Sequence, residues 1–199
     1  MRKQKNKSGF LRKNYGETWD YIKESRNFIY SIIAIFVLFT VFGFVLPVPA
    51  ELEARIMDFI EQLLKQTEGL SQGELIRFIF WNNIQSSFVG MLFGVVLGIF
   101  PVISALVNGY LLGFVASRAA DGSGLFVLWR LFPHGIFELP ALFISLGLGL
   151  RLGTFIFERD KLKTLKRYLL KSAKTFLFVV IPLLIIAAII EGSLISLMG

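Results

Sequence analysis

From Phe28 to Leu46 the chain reads FIYSIIAIFVLFTVFGFVL, 19 residues without a single charge. A helix rises about 1.5 Å per residue, so this stretch is long enough to cross a hydrocarbon core of about 30 Å. Apolar blocks recur along the rest of the chain rather than alternating with polar residues. The chain is 55% hydrophobic, carries 21 Phe and has a mean hydropathy of +0.67. A water-soluble domain of 199 residues has no need of that much apolar surface. In a bilayer only helices and closed barrels satisfy their backbone polar groups, and blocks of this length specify helices. The expected fold is all-α, a polytopic membrane helix bundle.

The apolar pattern predicts five spans, near residues 28–46, 78–100, 102–117, 135–155 and 175–190. Residues 1–27 form a basic segment ahead of a single membrane domain, residues 28–199. Trp19 and Tyr21 in that segment suit a short amphipathic helix at the headgroups. Residues 51–75 repeat apolar residues with a period near 3.6 and predict an amphipathic, acidic helix on the outer leaflet or capping the bundle. Pro101 is expected to end the second span, and RAADGSG, Arg118 to Gly124, to form a loop. The 33-residue apolar tract Leu125–Phe157 is too long for one span. Pro133 and Pro140 are expected to break it, leaving a broken or re-entrant segment near 125–140.

Charge distribution orients the bundle. The net charge is +7, but the basic residues fall in two blocks, residues 1–27 and 158–174, next to apolar spans. That is a membrane-topology pattern rather than a nucleic-acid footprint. Five spans with a cytoplasmic N-terminus place both blocks inside and the acidic 51–75 segment outside. The C-terminus is then extracytoplasmic. Cysteine is absent, which excludes disulfides and thiolate metal sites.

Two sets of residues carry the candidate sites. Gly90, Gly94 and Gly98 lie four apart, Gly109 and Gly113 follow, and Gly147, Gly149 and Gly153 crowd the fourth span. Small residues let helix backbones approach closely in lipid. Such stripes serve either packing of spans two, three and four within one chain or contact with a second copy. The second set is polar: Asn82, Asn83, Gln85, Ser86 and Ser87 in the second span, Asn108 in the third, His134 and Glu138 near the start of the fourth. Polar groups are costly in hydrocarbon unless they face protein or water. We expect Asn82, Asn83, Gln85, Asn108, His134 and Glu138 to form one buried cluster near the outer face. His134 and Glu138 share a helix face, and Glu138 lies near a helix start whose positive end favours a carboxylate. Catalytic zinc sites typically take three protein ligands, mostly His, so one His and no Cys argue against a metal site; no Ser–His–Asp grouping is visible, and no cofactor is expected.

These motifs resemble the stage II sporulation protein M family, a membrane family of bacteria and archaea. The resemblance rests on NNIQSSF (Asn82–Phe88), GxxxGxxxGIFP (Gly90–Pro101), NGYLLG (Asn108–Gly113), PHGIFELPA (Pro133–Ala141) and GLGLRLG (Gly147–Gly153). The best-known members act in forespore engulfment as membrane scaffolds that recruit two peptidoglycan-cutting proteins. The resemblance therefore implies a non-enzymatic organiser of a membrane complex; the expected partners are membrane lipid and other membrane or extracytoplasmic proteins, with a homo-oligomer left open by the glycine stripes. It implies neither sporulation nor nucleic-acid binding. The competing expectations are a transporter, channel or permease-like subunit with an outward-opening polar cavity, and an intramembrane hydrolase using Glu138 and His134.

Overall fold

The structure, a computed structural model, describes residues 2–123 and 132–198, with side chains for residues 12–121 and 135–197. The described residues form eight α-helices and no strand: α1 (Arg2–Glu24), α2 (Arg26–Val45), α3 (Ala50–Thr67), α4 (Gln72–Leu92), α5 (Ile99–Ser123), α6 (Phe132–Gly153), α7 (Lys161–Thr175) and α8 (Ile181–Met198). Short 3-10 turns follow α4 and α6, and a π turn, Phe176–Val180, joins α7 to α8.

Local chemistry sets the breaks. Ser25 separates α1 from α2, its hydroxyl donating to the Tyr21 carbonyl oxygen at 2.7 Å. Pro47 and Pro49 follow the end of α2, and neither can donate a backbone hydrogen bond to continue it. The amphipathic helix expected over 51–75 stops at Thr67, because Gly69 takes a positive φ of 74° and turns the chain. Ser71 and Glu74 then form a reciprocal capping box that starts α4. The π turn lies just ahead of Pro182, which has no N–H to continue the regular ladder.

Among the described residues, four segments are long and apolar enough to cross a membrane: Arg26–Val45, Ile99–Asp121, Gly135–Phe157 and Lys161–Leu197. The expected second span corresponds to α4, and it is not among these four. Arg77, Asn82, Asn83 and Gln85 lower its hydropathy. Even so, α4 runs the length of the bundle. Its first turn meets the last turns of α8, where Gln72 donates to Ser193 at 3.0 Å and Gly192 lies against Ile76. At its other end, Gly94 lies against Gly149 near the end of α6.

The central helix is α6, which packs against α2, α4, α5 and α8. It separates two apolar cores. Leu148 and Leu152 face Met91, Val180 and Leu184 on one side, while Leu142 and Leu146 face Ile32, Phe36 and Ala105 on the other. The two basic segments, α1 and α7, pack against each other at the end where α2 begins and α6 finishes. Segment Lys161–Leu197 spans 37 residues, about 55 Å, so its basic first half extends beyond a core of about 30 Å. The acidic α3 lies at the opposite end, tied there by Glu53 to Arg118 of α5 at 2.6 Å.

Several expected boundaries move. Pro101 does not end the second span but sits in the first turn of α5, where its missing N–H is an unpaired group in any case. The reversal occurs earlier, at Leu97 and Gly98, with φ of 55° and 70°. Arg118 to Ser123, expected as loop, continue α5, helped by Arg118 pairing with Asp121 one turn on at 3.7 Å. Pro140 lies inside α6 without breaking it, its ring exposed on the bundle's surface rather than wedged into a neighbour. Pro133 does occupy the first turn of that helix. The half-helix expected over Leu125–Phe132 lies, except for Phe132, outside the described residues. Tyr21, expected at the headgroups, is 1% exposed and turned into the bundle, whereas Trp19 is exposed.

Candidate functional site

The glycines account for the closest helix crossings. A Cβ at Gly94 would overlap the Gly149 carbonyl oxygen, one at Gly113 that of Thr40, one at Gly109 that of Phe36 and one at Gly43 that of Tyr110. Gly147 lies against Ile29, and Gly153 against Gly98. These are contacts within one chain, the first of the two uses that the stripes allow. Gly90, Gly94 and Gly98 are not one stripe of a single helix, since α4 ends at Leu92 and Gly98 belongs to the reversal. All three nevertheless face α6, at Leu146, Gly149 and Leu150.

Close approach is not uniform. Helices α2, α3, α5 and α6 line a partly open cavity of about 630 Å³. Its walls include Phe36, Leu111, Leu112, Val115, Ile136, Leu139 and Leu142, and α3 contributes Phe59, Ile60 and Leu63. The polar side chains on its lining are Thr40, Asn108 and Glu138. Two of them are committed to their own helices. Thr40 donates to the Phe36 carbonyl oxygen at 2.8 Å, and Asn108 Nδ2 donates to that of Ser104 at 2.8 Å.

The cavity thus joins two of the six residues expected to cluster, Asn108 and Glu138. Asn82, Asn83 and Gln85 do not line it. They sit on α4, which packs on α6 and α8, while the cavity lies between α6 and the α2–α5 pair. Asn82 and Gln85 are exposed and Asn83 is half-buried. From that polar run it is Ser87 that is buried, its carbonyl oxygen accepting the Ser145 hydroxyl at 2.6 Å. His134 is the third residue of α6, and its side chain lies outside the described residues. Glu138 falls in the second turn of α6, beyond the reach of the helix-terminal charge that the expected start would have supplied.

A second polar assembly, at the basic end, was not singled out from the sequence. Arg151 has only 13% of its side chain exposed. Its guanidinium lies between the rings of Tyr21 and Tyr168, 4.5 Å and 4.9 Å from their centroids. It donates to Ser25 Oγ at 2.8 Å and pairs with Glu24 at 3.1 Å. Lys171 reaches the same carboxylate at 3.4 Å, Tyr21 and Ser172 hydroxyls meet at 3.3 Å, and Lys174 pairs with Glu17. Partial burial raises the affinity of the Glu24 carboxyl for its proton, but Arg151 and Lys171 outweigh it and hold the group below the usual carboxylate range. Hydrogen bonding to Lys174 lowers Glu17 likewise, and burial pushes the Tyr21 hydroxyl up. The sequence signal was available: Arg151 is a lone cation in the apolar run Ala141–Phe157, within the motif GLGLRLG. Its hydrogen-bonding partners Ser25 and Glu24 lie 126 and 127 residues away, at the junction of α1 and α2, and no local pattern points to them.

A profile of the stage II sporulation protein M family matches residues 32–194. That interval holds α4 to α6, the cavity and the glycine crossings other than Gly147–Ile29. An uncharacterized protein of Methanocaldococcus jannaschii is 28% identical over 182 residues, covering 85% of this chain and 82% of that protein. No solved structure matches the chain.

Proposed function

Because this chain belongs to the stage II sporulation protein M family, we propose that it is a non-enzymatic organiser of a membrane complex, a fixed bundle that holds other proteins at its two ends. The observation that carries this reading is backbone-to-backbone contact at Gly94–Gly149, Gly113–Thr40 and Gly43–Tyr110. Alternating access requires helix groups that rock past one another. Crossings closed by backbone atoms leave no flexible side chain to absorb such movement.

In this reading the α1–α7 end faces the cytoplasm and α3 the other side. Support comes from the packing of both basic segments at one end, since Lys and Arg near span ends favour the cytoplasm. The partner surfaces are the exposed apolar residues of α3, such as Leu64, and those of α7, Leu162 and Leu170. A photo-crosslinking residue at each of these positions, activated in native membranes, tests the proposal. Discrete adducts with other proteins are expected at one end or both. Adducts only with a second copy, or none, would remove the organiser reading. The transport reading draws on Glu138 at the cavity. It predicts that Glu138→Gln folds and keeps its crosslinks yet loses the protein's biological function.

A further inference from the structure

We propose that the cavity beneath α3 is a binding site for one acyl chain of a membrane lipid. This does not depend on the organiser reading. Its walls come from α2, α5 and α6, three helices that are each long and apolar enough to span a bilayer, and it sits toward their α3 ends. At about 630 Å³ it falls within the roughly 300–1,000 Å³ of ordinary small-molecule sites.

Chemistry selects the occupant. A buried water needs about 2–4 polar partners. The lining is mostly apolar, and two of its three polar side chains, Thr40 and Asn108, already donate to carbonyl oxygens of their own helices. Water would find partners only at Thr40, Asn108 and Glu138, and the rest of the lining is apolar. An apolar cavity of this size is filled by hydrocarbon, and the surrounding bilayer supplies it. The volume also argues against a protein segment. A helix about 10 Å across would use the space in roughly one and a half turns, too short to be held as a helix on its own. A flexible acyl chain matches both the volume and the lining. The amphipathic α3 lays Phe59, Ile60 and Leu63 over the cavity, and the Glu53–Arg118 pair ties that cover to α5. The lipid headgroup would remain at the membrane surface beside α3.

The test uses the full chain in vesicles of phosphatidylcholine and phosphatidylglycerol, doped with a phosphatidylcholine that carries a diazirine on one acyl chain. After illumination, labelled peptides are mapped. The expected result is labelling of Phe59–Leu63 and Ile136–Leu142 several-fold above that of Ile185 and Ile189, which are exposed on the outer face of α8. Ala116→Phe places a ring in the cavity. It should cut cavity labelling to the α8 level, with α8 labelling and melting temperature preserved. Val115→Phe serves the same purpose should Ala116→Phe fail to fold. Equal labelling of the cavity and the α8 face in the unaltered protein would overturn the proposal without any variant. So would cavity labelling that survives in a folded, filled variant. Cavity positions shielded from the probe would mean that a protein segment fills the space, which also overturns it.

Discussion

Consider alanine at position 94. Gly94 follows the end of α4, where its backbone meets that of Gly149 on α6, and an added methyl would overlap the Gly149 carbonyl oxygen and crowd its Cα. Every obstructing atom is backbone, so no rotamer change relieves the overlap, and the end of α4 must move off α6. Overpacking costs about 1–3 kcal/mol where side chains can adjust, and a backbone obstruction belongs at the upper end. Replacing glycine within a helix gains back about 0.5–1 kcal/mol, which leaves a net loss of about 2 kcal/mol. At roughly 2–4 °C per kcal/mol for a chain of this length, melting should fall by about 4–8 °C. Gly16 supplies the contrast, since it lies within α1 and a Cβ there meets nothing within 4 Å. Gly16→Ala should hold or raise the melting temperature through helix propensity alone. The assay is thermal unfolding of the purified protein in one detergent, followed by circular dichroism. If Gly94→Ala melts with the unaltered protein, or if Gly16→Ala falls as far, the crossing at Gly149 does not hold the bundle. Gly94→Leu should be worse than alanine on the same grounds.

Single cysteines test orientation cleanly in a chain that has none of its own: an impermeant thiol reagent applied outside intact cells should label Gln62→Cys and not Lys166→Cys, and labelling of position 166 would reverse the topology. Arg151→Met should lower stability by about 2–3 kcal/mol, because two tyrosine rings and the Glu24 carboxylate lose their cation. Arg151→Lys should restore only part of it, since an ammonium cannot reproduce the planar fork, and full rescue in thermal melts would argue that charge alone matters there. Glu138→Leu should lower stability by about 1–3 kcal/mol while Glu138→Gln retains most of it, and equal melting temperatures for the two would show that a polar group at that position contributes nothing. The contact between α1 and α7 should also depend on pH. Glu17 and Glu24 bind protons less readily in the folded protein than at their ordinary value of 4.5. Their contribution is therefore present above that value and is lost as pH falls through the depressed folded values. The protection of α1 amides, taken relative to the intrinsic exchange rate at each pH, should fall as pH drops below 4.5 while α6 stays protected, and uniform protection across that range would contradict the ion-pair account.

Length and composition by themselves dictated a helical membrane bundle, because blocks such as Phe28–Leu46 have no other way to satisfy their backbone in lipid. Charge placement in the sequence also anticipated that α1 and α7 would share an end. Glycine spacing named the residues of close approach but not their partners: Gly113 meets Thr40 and Gly94 meets Gly149 across long stretches of chain. The polar residues were legible as unusual and not as a group. Their apolar surroundings look alike in the sequence, and only the rotation of each helix about its axis determines which face turns inward. That rotation sends Asn108 and Glu138 to the cavity and leaves Asn82 and Gln85 exposed on α4. Proline misled the boundaries at Pro101 and Pro140, since its cost depends on where it falls in a helix: in the first turn its N–H had no partner to lose, and inside α6 the packing around the helix outweighs the lost bond. The cavity and the seat of Arg151 are likewise properties of the packed bundle alone. Each is built from segments distant in sequence that only the packed helices bring together.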